Sequence, residues 1–139
     1  MKHAIVLFAV TAAVLMVVHA AFGYAAAYTL AYGTVVAMAA SISATFFWLW
    51  YQRQTPLALG MGFSWLGTTG VLGWWWLYQI LERPVAMAEN SGLFVFVSAY
   101  FVGAVLHFRV VGRSLGWGSL VLLLPFSGVL ALTVLRFST

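Results

Sequence analysis

The chain has 139 residues, 65% of them hydrophobic and only 6% charged, where a soluble domain carries about 25% charged residues. Six basic and two acidic side chains cannot coat a water-facing surface, which excludes a soluble globular protein; so apolar a chain is not disordered either. The absence of cysteine excludes disulfides, thiolate metal sites and a cysteine nucleophile, and a net charge of +4 is too sparse for a nucleic-acid footprint. What remains is an all-α polytopic transmembrane helix bundle, a single membrane domain over residues 1–139.

The charged residues divide the chain. Between Lys2 and Arg53 lie 50 uncharged residues, between Arg53 and Glu82 28, between Glu89 and Arg109 19, and between Arg113 and Arg136 22. One helical crossing takes about 20 apolar residues, so the first run holds two spans and the others one each. The expected spans are 4–24, 30–51, 57–81, 92–111 and 116–136. Gly23 and Gly33 bracket the first turn. Lys2, the apolar run from Ala4 to Val18 and the tripeptide Val18-His19-Ala20 also fit a cleaved signal peptide, which would leave four spans.

Taken in order, the first span carries His19, an intramembrane ionisable residue and therefore a functional candidate. Tyr24, Tyr28 and Tyr32 follow at helical spacing and suit interfacial anchoring. Small residues let membrane helices approach closely. In the second span Gly33, Ala37, Ser41 and Ala44 form one such stripe. The third span, opened by Pro56, carries Gly60, Ser64, Gly67, Gly70 and Gly73, a density that predicts neighbours around it. It ends in Trp74-Trp75-Trp76. At about 100° per residue, three successive side chains cannot all face lipid, so at least one indole turns into the bundle. An outer loop with Pro84 leads to Asn90. In the last span Pro125 and Gly128 predict a kink that could serve as a hinge or gate.

Positive charge orients such an array. With the N-terminus cytoplasmic, Lys2, Arg53, Arg109 and Arg113 face inward, whereas Glu82, Arg83, Glu89 and Arg136 face outward. The expected location is thus a bacterial inner membrane, N-terminus cytoplasmic and C-terminus outside. Aromatic residues agree: Phe46, Phe47, Trp48, Trp50, Tyr51 and Trp117 gather at the inner boundary, Trp74, Trp75, Trp76 and Tyr78 at the outer one.

Cofactor chemistry finds no support. His19 lies about 22 Å from the inner end of its helix and His107 about 6 Å, at ~1.5 Å per residue, so one haem iron cannot take both. Two histidines at different depths with two loop carboxylates do not form a zinc or di-iron set. No cofactor and no metal are therefore expected, and no catalytic residue; a lipid-acting enzyme would have to use His107 and Arg109.

Residues 32–108 nevertheless follow a known order: a small-residue helix from Tyr32-Gly33-Thr34, the turn Gln52-Arg53-Gln54-Thr55, and a helix ending Gly73-Trp74-Trp75-Trp76-Leu77-Tyr78. A short loop with Pro84 follows, then Ala88-Glu89-Asn90. The segment resembles the three-helix unit of the SemiSWEET and PQ-loop transporters. That family's Pro-Gln pair is missing; Phe46-Phe47 stands in that region. The resemblance implies a homodimeric carrier of a small neutral or polar solute such as a sugar or polyol, with the Trp and Asn of its site matched by Trp74 or Trp75 and by Asn90. The expected binding set is Trp75, Trp76, Asn90 and His19, with Pro125 and Gly128 as hinge. The alternative, drawn from small-residue faces and the lack of intramembrane charge, is a non-catalytic helical subunit or assembly factor of a larger membrane complex. Partners are then the bilayer, a small solute, and further copies or another membrane protein.

Overall fold

A computed structural model describes residues 2–115 and 123–137. It is all-α: α1 Lys2–Phe22, α2 Tyr24–Arg53, α3 Pro56–Ile80, the short α4 Val85–Ala88, α5 Gly92–Leu115 and α6 Leu123–Phe137. Apart from Gly23 and Leu81, the described residues of the five expected segments are helical. Three stretches, Lys2–Phe22, Tyr24–Arg53 and Val85–Val110, are long and apolar enough to cross a membrane. α3 has the length, at 25 residues, but its glycines, tryptophans, serine and threonines dilute its hydropathy.

The breaks have local causes. Between α1 and α2 the chain interrupts the helix for one residue, Gly23, at φ 84 and ψ 176, a region essentially reserved for glycine. The turn expected over residues 25–29 is helix instead. α2 ends where Gln54 turns left-handed at φ 51, its N–H donating to the Trp50 carbonyl at 2.7 Å. α3 restarts with Pro56 in its first turn, where a missing N–H costs nothing.

Packing is organised around α3, which meets α2 on one side and α5 on the other, with α1 touching α2. Glycines make both seams. A Cβ on Gly60 would meet Leu106 and His107, on Gly67 Tyr100, and on Gly70 Phe96, all of α5. A Cβ on Gly62 would meet Phe47, on Gly73 Val36 of α2, and one on Gly33 of α2 would meet Trp76. The order of these pairs shows that α3 runs antiparallel to both neighbours. At about 100° per residue the two glycine sets lie about 120° apart around α3, so α2, α3 and α5 form a bent row with α3 in the middle.

The stripe expected on α2 is corrected. Ala37, Ser41 and Ala44 are exposed, and the seam runs instead through Val36, Ala39, Ser43 and Phe47. Ala39 is 1% exposed and Ser43 4%. The Ser43 hydroxyl donates across the seam to the Gly62 carbonyl at 2.9 Å, whereas Ser41 donates to Ala37 in its own helix. A hydroxyl bonded to its own helix can face lipid at no cost in unpaired polar groups.

Pro125 is the third residue of α6 as described, while Val121, the carbonyl it would deprive, lies outside the described residues, as does the span's expected start at residue 116. A Cβ on Gly128 would meet nothing within 4 Å.

Candidate functional site

The three consecutive indoles take three directions. Trp76 turns toward α2: its Nε1–H donates to the Thr29 carbonyl at 2.9 Å, and its ring lies on Gly33. A Cβ at position 33 would stand 2.9 Å from that ring, so Gly33 is the seat that lets the indole approach the α2 backbone. Trp74 turns the other way: its Nε1–H donates to the Met87 carbonyl of α4 at 3.1 Å, and its ring reaches Gly92 at the head of α5. Trp75 stays outward, 38% exposed, edge-on to Tyr78 with ring centroids 5.4 Å apart. Two of the three indoles thus face the bundle, on opposite sides of α3.

Asn90 is exposed at the entry to α5, and its Oδ1 accepts the Gly92 N–H at 2.7 Å. That bond meets one of the N–H groups that a helix start leaves without a partner. The loop before it is shaped by Glu82 and Arg83, both left-handed at φ 59 and 61. The Arg83 N–H reaches back to the Tyr78 carbonyl at 2.8 Å, and its Nε to Gln79 Oε1 at 3.1 Å. These bonds hold two residues in a region L side chains enter at a cost of about 1–2 kcal/mol each.

His19 is exposed near the end of α1, edge-on to Tyr24 at 6.2 Å. Tyr24 continues into a row with Tyr28 and Tyr32, at centroid distances of 6.1 and 4.1 Å. Trp76 stands on the α2 side of α3, Asn90 at the head of α5, Trp75 outward and His19 beside α2's first turn; each has a different set of neighbours. Sequence reasoning passed over Ser43 and set Phe47 at the inner membrane boundary; the sign of their part in the seam was their spacing from Val36 and Ala39.

His107 lies in the α3–α5 seam beside Gly60, with its Nδ1 buried and without a hydrogen-bond partner. Arg109 follows two residues later, about 200° away around the helix, and is exposed; the two do not share a face. Among the described residues no three histidine or carboxylate side chains gather at one point.

What this arrangement does chemically is mostly to hold helices together: the indole N–H groups of Trp74 and Trp76 and the Asn90 oxygen are satisfied by the chain's own backbone. Comparison with protein-family models, curated proteins and solved structures gave no match for this chain.

Proposed function

We propose that this chain is a non-catalytic helical subunit or assembly factor of a larger membrane complex. The observation that supports this reading is the engagement of Trp74, Trp76 and Asn90 by backbone groups of Met87, Thr29 and Gly92. Side chains that would read as ligands for a solute instead fasten α3 to α2, and the outer loop to α3. Outward, α1 presents large apolar side chains and buries none. In this reading α3 and α6 cross the membrane with the other long helices, and the Arg53 and Arg109 end is cytoplasmic, following the charge bias.

Gentle extraction from the native membrane tests it. The chain should migrate with a larger membrane protein in fixed stoichiometry; migration alone would overturn the reading.

A second reading, the carrier implied by the SemiSWEET resemblance, draws on Trp75, whose indole stays open beside Tyr78. Stacking on that ring would suit a neutral sugar or polyol, in a site shared between two copies. Proteoliposome uptake that Trp75→Ala abolishes would favour it; no uptake above empty vesicles would count against it.

A further inference from the structure

The charge pattern assigns Arg53, Arg109 and Arg113 to the same side of the membrane, and the fold sets their positions close to one level. Because α3 runs antiparallel to α5 with Gly60 beside Leu106 and His107, Arg109 falls level with the first turn of α3. Arg113 lies one turn further out along α5. Arg53 closes α2, next to the turn that opens α3. The three positions lie within about 9 Å along the axis of α3, at ~1.5 Å per residue, and the side chains of Arg53 and Arg109 are exposed.

Nothing acidic answers them. The chain has two acids, Glu82 and Glu89, and both stand in the connection at the opposite end of α3. Its 25 residues put about 37 Å between the ends, several times the Debye length of about 8 Å at physiological salt. One end of the row is therefore a belt that carries the uncompensated guanidinium groups of Arg53 and Arg109, on helices whose apolar faces continue directly below it.

We propose that this belt binds the phosphates of anionic phospholipids, so that the chain retains an annulus of them at that leaflet. Guanidinium groups pair with phosphate oxygens through two parallel N–H bonds. The acyl chains of a phospholipid held there lie along the apolar sides of α2 and α5, a placement free phosphate cannot use. The inference rests on the membrane assignment and is independent of the subunit reading: lipid selection and partner capture are separate measurements, and either can fail alone.

The test offers the purified full chain, delipidated in a neutral detergent, equal amounts of phosphatidylglycerol and phosphatidylcholine, and counts bound lipids by native mass spectrometry. Phosphatidylglycerol should be preferred by about fivefold for each arginine engaged. The double change Arg53→Gln and Arg109→Gln should bring the ratio close to one, the corresponding lysine variant should keep most of the preference, and Arg83→Gln at the far end should leave it intact. Should the double glutamine variant fail to fold, Arg53→Gln and Arg109→Gln taken singly must each lower the ratio. Equal binding of the two lipids by the unaltered chain would overturn the proposal. So would a preference that survives loss of both arginines, or release of the lipid by millimolar inorganic phosphate, which would mark a site for free anion.

Discussion

Individual residues in this protein act mainly by what they allow a neighbouring helix to do. Gly67 shows it most clearly, since an added Cβ would stand 2.5 Å from the Tyr100 backbone nitrogen and a helix backbone cannot yield locally. Gly67→Ala should cost about 1–3 kcal/mol through displacement of α5, read as a lower unfolding midpoint in detergent. Gly128→Ala should be neutral or stabilising by up to about 1 kcal/mol, because that position is open and alanine is the better helix former. Trp76→Phe keeps most of the ring and removes the bond to Thr29; the loss should be about 0.5–1.5 kcal/mol, measured the same way. At this scale the sequence was only partly legible. That three adjacent indoles cannot share a direction follows from helix geometry alone, but which two turn inward depends on the glycine seat at position 33 and on the carbonyl of Met87, thirteen residues away.

At the scale of elements, uncharged runs located the helices because a charged side chain is costly inside lipid, and that constraint acts without help from tertiary structure. Helix faces were harder. On α2 the spacing of Gly33, Ala37, Ser41 and Ala44 is as regular as that of the true seam through Val36, Ala39, Ser43 and Phe47, and both stripes carry small residues. The partner decides between them: Gly62 and Gly73 on α3 select the face that carries Val36, Ser43 and Phe47. The glycines of α3 were readable because they occur on two faces and so require two neighbours. The α1–α2 turn was expected between Gly23 and Gly33, over residues 25–29, and drawn too long and too late, since a glycine at φ 84 breaks the helix in one residue. Gly23→Ala, with open space around the Cβ but the wrong backbone geometry, should cost about 1–3 kcal/mol in strain or redirect α1. Distances between spin labels on α1 and α2 should shift or broaden if the helix is redirected, and stay narrow in the unaltered chain.

The whole molecule presents 10458 Å² of accessible surface, where a compact soluble chain of 15.2 kDa would show about 7,100 Å². Large apolar side chains dominate the excess on α1 and α6, including Leu7 at 67% exposed and Leu132 at 69%. The membrane class was legible from composition because a count of eight charges does not depend on how the chain folds. The candidate site was not, because the use of Trp76 and Asn90 is set by contacts that residue type and spacing leave open. Orientation is directly measurable in a chain without native cysteine: a single cysteine at Gln54 should react with an impermeant maleimide only from the cytoplasmic side, and one at Glu82 only from outside. The central claim, that this protein works through contact with another membrane protein, is tested most directly by photocrosslinking in intact membranes from residue 7 of α1 and residue 132 of α6. The account predicts one discrete protein adduct, of a mass different from a second copy of this chain. Adducts to lipid alone, or only to further copies, would contradict it.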